Sequence, residues 1–415
     1  MDRLRIPGSG VDELEQQARD RMTRSAYDFF AGGADNELTL ADNVAAWTRL
    51  RLRPRVLREV RKVSTQTTVL GHSVSFPALV APMALQRLAH DEGERATARG
   101  AAGAGTIMVT STIATISLED IAAAAPDATR WFQLYIRYSR NWAAELVGRA
   151  TNAGYKALVF TVDTPVLGRR RRDECNRFDL PSGIEIPNLR SRPPNPESSA
   201  AAASTENEFD VAVTFDDLEW LAGVSDLPIV VKGVLRGDDA RACLHGGARG
   251  IVVSNHGGRQ LDTAIATADA LPEIVEAVGD DAEVFVDGGV RQGTDILKAL
   301  ALGAQAVLVG RPVIWGLATT GATGDCAVLD RLREDFARAL ALCGAPSIAD
   351  VRPDLIAHRS CIRHLELTRL VDICRLGRIA QERMFIDERE EAPVPGRVPP
   401  SSDRFGAAQP RQVDP

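Results

Sequence analysis

From residue 78 onward the chain repeats one pattern, a short continuous apolar run followed by an alanine-rich stretch with helical spacing. The runs are PALVAPM, TIMVTS, WFQLY, ALVFTVD, PIVVKGV, GIVVSNHG, EVFVDGG and AVLVGRP. Runs this short and this rich in Val, Ile and Phe read as strands buried on both faces. The segments between them, such as residues 94–104, 141–153 and 238–246, space their apolar positions as helices. Alternating strand and helix predicts a parallel sheet. Eight such units over about 240 residues match a closed (β/α)8 TIM barrel of the α/β class. The competing arrangement, an open doubly wound sheet, normally places GxGxxG straight after its first strand. Here the first run ends in Pro82-Met83-Ala84, so the barrel is preferred.

The flanks follow other patterns. Residues 11–31 read as one amphipathic helix closed by Gly32-Gly33, and residues 37–47 as another, so residues 1–77 form a helical cap and lead-in at the barrel's bottom or mouth. The barrel is expected over residues 78–375. Residues 184–215 form a variable insertion after the fourth strand, and its middle, SRPPNPESSAAAASTENE, is polar and low in complexity, either a lid or a passive surface loop. Residues 376–415 are rich in Pro and polar residues and read as a tail without a core of its own.

Composition narrows the classes. With 415 residues, 25% of them charged, the chain has room for one large domain or two modest ones. A net charge of -7 gives no electrostatic reason to expect nucleic acid or an anionic membrane as partner. The six cysteines never form a CxxC pair, which speaks against a zinc site or a disulfide framework. No stretch of about 18 apolar residues appears and the N-terminus lacks a signal-like apolar core, so the reading is a cytoplasmic protein.

In such a barrel the reacting groups sit at the C-terminal ends of the strands. Those ends carry Met83-Ala84, Ser111-Thr112, Gln133 and Tyr135, Thr161 and Asp163, Lys232, His256 with Arg259, Asp287 with Arg291, and Gly310-Arg311. In Asp287-Gly288-Gly289-Val290-Arg291 and Gly310-Arg311, glycines let backbone amides approach an anion, arginines add charge, and a helix over residues 294–302 offers its N-terminus, together a phosphate cradle. The plainer reading is a pair of glycine turns with surface arginines. His256 directly follows an apolar strand and Arg259 lies one turn on, so an imidazole base and a guanidinium fork face one small anion. The plainer reading there is a structural His beside an exposed Arg.

The strings SNHGGRQLD, TVDTPVLGRR, FQLY, LPIVVKGV, VDGGVRQGTDILKALALGA and VGRP resemble the FMN-dependent 2-hydroxy acid oxidases and dehydrogenases, the family of glycolate oxidase, lactate oxidase and mandelate dehydrogenase. The match spans residues 27–344, and the first of these strings with the glycine-arginine turns is highly specific. The resemblance implies FMN, a small 2-hydroxy acid substrate and a homo-tetramer or octamer. It makes His256 the base and Asp163 the carboxylate that orients it. Arg259 and Arg170 would grip the substrate carboxylate, with Arg170 pointing inward from the basic run at residues 169–172 and its neighbours solvated. Tyr135 would hydrogen-bond near the substrate oxygen, and Lys232 would set positive charge beside the flavin N1 and O2. Ser111, Gln133, Thr161 and Ser254 would contact the flavin edge and Pro82, Met83 and Ala84 its backbone-facing side. Asp287, Gly288, Gly289, Arg291, Gly310 and Arg311 would hold the ribityl phosphate.

Two positions depart from the family pattern. Where many members have a YDYY-like string, this chain reads Tyr27-Asp28-Phe29-Phe30, so Phe29 lacks a hydroxyl. Where glycolate-using members carry Trp after the second strand, this chain has Ile113. A smaller, less polar wall implies a bulky or aromatic substrate, as in the 4-hydroxymandelate oxidases, which are similar at both positions. The alternative is oxidation of an amine or a modified peptide on the same scaffold. With no haem-binding or anchoring segment visible, oxygen is the expected acceptor of the electrons.

Overall fold

The computed structural model describes residues 11–137, 139–189 and 213–357. Its centre is a closed barrel of parallel strands: β3 (Ala78–Val80), β4 (Met108–Thr110), β5 (Arg130–Leu134), β6 (Leu158–Thr161), β7 (Ile229–Val234), β8 (Gly250–Val253), β9 (Glu283–Val286) and β10 (Ala306–Val309). Each lies inside one of the eight apolar runs, except that β5 begins one residue earlier, at Arg130, and β10 closes on β3 through Val307↔Ala78 to Val309↔Val80. Closure excludes the open sheet.

Side-chain alternation along each strand explains both the core and the site. One residue from every strand, Leu79, Val109, Trp131, Val159, Val230, Val252, Phe285 and Leu308, points inward and joins a single apolar cluster filling the barrel. Fully burying each of these stabilises the fold by roughly 1.5–3 kcal/mol. Two residues further along each strand the same inward direction recurs one layer higher. That layer is Ala81, Ser111, Gln133, Thr161, Lys232, Ser254, Asp287 and Gly310. A dry layer thus supports a mostly polar one at the C-terminal end.

The strands alternate with helices α4 (Gly93–Ala104), α5 (Leu118–Ala124), α6 (Arg140–Asn152), α8 (Phe215–Val224), α9 (Gly237–His245), α10 (Thr267–Val278), α11 (Gly293–Ala301), α12 (Arg311–Thr320) and α13 (Ala322–Leu342). The loop after β6 carries one more, α7 (Arg171–Asn176). No described helix is long and apolar enough to cross a membrane.

The lead-in differs from expectation in two ways. The single helix expected over residues 11–31 is two, α1 (Val11–Arg21) and α2 (Arg24–Ala31), because Thr23 adopts an extended conformation and its hydroxyl caps α2 by accepting from the Ala26 amide. Helix α3 (Leu38–Arg49) follows. The lead-in is also not purely helical. Strands β1 (Thr67–Val69) and β2 (His72–Val74) form an antiparallel hairpin whose turn, Leu70-Gly71, has positive φ at both positions. The Leu70 amide donates to Glu283 at the start of β9, and Val69 and Val74 join the interior cluster, so the hairpin is the barrel's floor.

Within the stretch expected as an insertion, Asn188 is fully buried and its Oδ1 accepts from the Leu118 amide at the start of α5. Residues 190–212, the barrel's expected end at residues 358–375 and the tail at residues 376–415 lie outside the described residues.

Candidate active site

The C-terminal ends of the strands open into a cavity of about 810 Å³, in the upper part of the usual range for small-molecule and cofactor sites. Of the residues singled out from the sequence, Pro82, Met83, Ala84, Ser111, Ile113, Gln133, Tyr135, Thr161, Arg170, Lys232, His256, Arg259, Asp287, Gly288, Gly289, Arg291, Gly310, Arg311 and Phe29 line it. Asp163 and Ser254 stand behind its wall and reach it through partners.

His256 begins the turn after β8 with φ +59, a left-handed conformation, and its amide donates to Ser254 Oγ at 3.1 Å. Its Nδ1 meets Asp163 Oδ1 at 2.8 Å, which leaves Nε2 as the ring nitrogen for a ligand. Asp163 comes this close because residue 233 of β7 is glycine: a Cβ there would sit 2.6 Å from the Asp163 Cβ. Burial alone pushes the Asp163 carboxyl up, but His256, Lys232 and hydrogen bonds outweigh it and hold the group down at about 2. Burial pushes the His256 imidazole below its ordinary value, opposed by Asp163. Near neutral pH the pair therefore presents an ionised carboxylate and a proton-accepting ring.

Lys232 Nζ donates to Ser254 Oγ at 3.0 Å and lies 3.4 Å from Asp287 Oδ2, which in turn accepts from Ser254 at 2.9 Å. Burial acts to lower the lysine, yet Asp287 and Asp163 raise it overall, so it stays charged. Tyr135 is pushed above the ordinary phenol value by burial and by Asp163, and so remains a hydroxyl donor.

Both arginines of the expected clamp are partly buried, with different partners. Arg259 donates through one nitrogen to the carbonyls of Phe29 and Gly32, at 2.6 and 2.8 Å, and lies over the Phe29 ring. The Nε of Arg170 is buried without a hydrogen-bond partner. Burial depresses both guanidinium pKa values, though an arginine keeps its charge. The rest of the basic run pairs outward: Arg169 with Glu174, Arg171 with Asp35, and Arg172 with Glu37 and Asp28. Arg311 donates to the carbonyls of Phe30, Gly257 and Gly32, so the last turn of α2 hangs on two cavity arginines.

The sequence reading missed residues of the β6–α7 loop, of α7 and just beyond it that also line the cavity, among them Val166, Leu167, Asp173 and Phe178. Phe178 stacks on Phe29 with ring centroids 4.9 Å apart. The signal available was helical spacing: Asp173 falls three residues after Arg170, on the same face of the chain. Ile113, Val166, Leu167, Phe29, Phe30 and Phe178 give the cavity an apolar part of its lining.

FMN, the cofactor implied by the resemblance, can be tested against the polar layer. Gln133 turns Oε1 toward Ser111 and Thr112 and leaves Nε2 buried without a partner; Thr161 Oγ1 and Asp287 Oδ1 are likewise buried and unpaired. Unpaired buried donors and acceptors are costly unless a ligand completes them. Across the cavity, Gly288 and Gly289 adopt positive φ, and the N-terminal ends of α11 and α12 lie beside Arg291 and Arg311. A polar edge facing a planar ring system and a glycine-arginine cradle facing a phosphate fit FMN.

Comparison with known proteins agrees. The sequence pattern of a family described as FMN-dependent dehydrogenase matches residues 18–358. The L-lactate oxidase of Nostoc sp. is 50% identical over 347 residues, covering 82% of this chain and 95% of the relative. The 2-hydroxyacid oxidase 1 of Homo sapiens is 48% identical over 353 residues, 83% of this chain and 95% of the relative. A crystal structure of mandelate oxidase superposes with a TM-score of 0.78 at 43% identity, over 84% of this chain and 97% of that one. A barrel whose top layer fits a flavin, matched over most of its length by flavin oxidases, makes the chain a member of the FMN-dependent dehydrogenase family.

Proposed function

We propose that this protein oxidises a 2-hydroxy acid with a bulky or aromatic side chain, of the mandelate kind, to the 2-oxo acid. The observation that carries the reading is the His256–Asp163 pair at 2.8 Å on the same cavity as Arg170 and Arg259. A base and two guanidinium groups around one small volume suit a molecule whose carboxylate neighbours the carbon that reacts.

In this reading the substrate carboxylate lies on Arg170 and on the part of Arg259 not engaged with α2. His256 Nε2 accepts a proton from the substrate, and Asp163, ionised throughout, stabilises the imidazolium that results. Tyr135 donates a hydrogen bond toward the substrate oxygen. Bound FMN supplies the two-electron acceptor. Gln133, Thr161, Ser111 and the Pro82–Ala84 backbone hold its ring system, Lys232 sets a positive charge nearby and Ser254 and Asp287 fix that lysine. Gly288, Gly289, Arg291, Gly310 and Arg311 hold its phosphate. The aromatic side chain rests against Phe29, Phe178 and Ile113; the likeness to mandelate oxidase supports this choice. Oxygen as final acceptor, a homo-tetramer or octamer, and a cytoplasmic setting complete the reading.

The test is anaerobic bleaching of the flavin by a panel running from glycolate and lactate to mandelate and 4-hydroxymandelate, followed by admission of air. Fast bleaching by the aromatic acids and prompt recovery of colour in air is the expected result. Preference for glycolate, or for amines over every acid, would overturn the substrate assignment, and a flavin that stays bleached in air would overturn the acceptor.

A further inference from the structure

Asn43, in the middle of α3, is 212 residues away in sequence from Asn255. Their side chains nevertheless exchange both amide bonds, Asn43 Nδ2 to Asn255 Oδ1 and Asn255 Nδ2 to Asn43 Oδ1, each at 2.8 Å. Both residues are almost completely buried, at 1% and 4% exposure, so the pair is a fixed structural element. Asn255 immediately precedes His256.

The pair does not stand alone. Asn255 Oδ1 also accepts from the Gly258 amide at 3.1 Å, and its Nδ2 donates to the Ile265 carbonyl at 3.0 Å, so one side chain spans the turn that holds His256 and the loop that follows. Asn43 Oδ1 accepts in addition from the Thr267 amide at 3.3 Å. Four residues upstream on the same helix, Thr39 and the preceding Asn36 donate their amides to Asp262. Helix α3 therefore grips the loop from residue 255 to residue 267 at several points. It also packs closely on the phosphate turn: the Trp47 indole donates to the Gly288 carbonyl, and a Cβ at Gly289 would fall 2.1 Å from the Asn43 carbonyl oxygen.

His256 needs such support. A non-glycine residue at φ +59 holds that conformation only where its surroundings over-determine it. The local contact, its amide on Ser254 Oγ, fixes one side of the turn. The Asn255 amide, locked by Asn43, fixes the other.

We propose that Asn43 is a positioning residue for His256: its amide fixes Asn255, and through Asn255 the left-handed turn that aims the imidazole into the cavity and onto Asp163. Asn43 is not among the residues that line the cavity, and its side chain acts on His256 through Asn255. The inference rests on His256 being the base of the proposed reaction. The groups facing that ring are Asp163, Lys232 and Arg170, so a small rotation changes which of them it meets.

Three holoenzyme variants test it: Asn43→Leu, which removes the amide, Asn43→Asp, which keeps the shape and Oδ1, and His256→Asn as reference. Each is measured for flavin content, for kcat and KM with the best acid of the panel, and for the titration of the His256 imidazole by 15N NMR, assigned by its disappearance in His256→Asn. In Asn43→Leu, kcat should fall by about ten- to a hundredfold, the scale of a slightly misplaced catalytic group. KM and flavin content should stay near wild type and the imidazole should titrate at lower pH as it drifts from Asp163. Asn43→Asp should change the same quantities in the same direction by a smaller factor. A folded, flavin-loaded Asn43 variant with wild-type kcat and titration, beside an inactive His256→Asn, overturns this inference alone. Active His256→Asn overturns the assignment of the base and the inference with it. If neither Asn43 variant folds and binds FMN, the role is architectural and the proposal falls.

Discussion

His256 and Asp163, 93 residues apart in sequence, meet through Nδ1 and Oδ1 at 2.8 Å, and the contact decides how the site answers to pH. In the proposed reaction the active form of the pair is neutral imidazole beside ionised carboxylate. Burial holds the His256 pKa below the ordinary imidazole value, while the charge of Asp163 raises it. The rising limb of kcat/KM against pH is therefore expected below the ordinary value, and in Asp163→Asn it should move lower still because the raising charge is gone. The same substitution should lower kcat by about a hundredfold or more, since the ring loses its orientation. A limb that stays in place would show that Asp163 is not the group facing His256 in solution.

The two clamp arginines are expected to separate function from stability. Arg259 supports the last turn of α2 through the carbonyls of Phe29 and Gly32, whereas Arg170 has a buried Nε without a partner. Replacing either with Met should cut kcat/KM by more than about tenfold, the scale of a lost charge-assisted hydrogen bond. Thermal denaturation distinguishes them. Arg259→Met should lower Tm, and Arg170→Met should lower it less, because Arg259 gives up two hydrogen bonds to carbonyls whereas the Arg170 Nε has none to lose. Equal losses of Tm would contradict the difference in partners.

Ile113 lines the same cavity as Phe29 and Phe178, and an indole in its place would take up space there. Ile113→Trp is expected to reduce kcat/KM for mandelate relative to glycolate by about 10- to 200-fold, the range over which an apolar pocket discriminates by size. An unchanged ratio of the two values would mean that the side chain of the substrate lies against another wall.

A further expectation concerns Asp325 in α13, which is fully buried and has no Lys, Arg or His acting on it among the described residues. Burial pushes its carboxyl well above the usual carboxylate range. In the unfolded chain the group loses its proton near pH 4, at about 3.9. Between that value and the folded one, the native state must keep a proton that the unfolded state has released. The contribution to stability is thus full in acid and declines as pH rises through this window. Asp325→Asn should accordingly raise Tm by several degrees near neutral pH and much less near pH 4, as read from melting curves across the range. A loss of Tm at neutral pH would point to an essential hydrogen bond of the carboxylate instead.

The strands were legible because a parallel strand covered on both faces must be apolar along nearly its whole length. The top layer was legible for the same reason: Gln133, Thr161, Lys232 and Asp287 interrupt apolar runs at positions that alternation sends inward. The break at Thr23 was visible in principle as a capping residue inside an amphipathic stretch, but helical periodicity carries through it. The floor hairpin was hidden because its strands are only three residues long and its turn is Leu70-Gly71 instead of the commoner Asn-Gly. The Asn43–Asn255 exchange and the grip of Arg259 and Arg311 on α2 join segments more than 200 residues apart, at 212, 230 and 281, and no local pattern records such a pairing.

The hairpin of β1 and β2 has a consequence for traffic. With Val69 and Val74 set into the base of the barrel and an apolar layer filling it above them, the interior offers no route downward. An acid arriving and the keto acid leaving both use as their doorway the mouth at the C-terminal ends of the strands. An occupant that lingers there bars the next arrival, so clearing the doorway is as much a part of turnover as the chemistry inside.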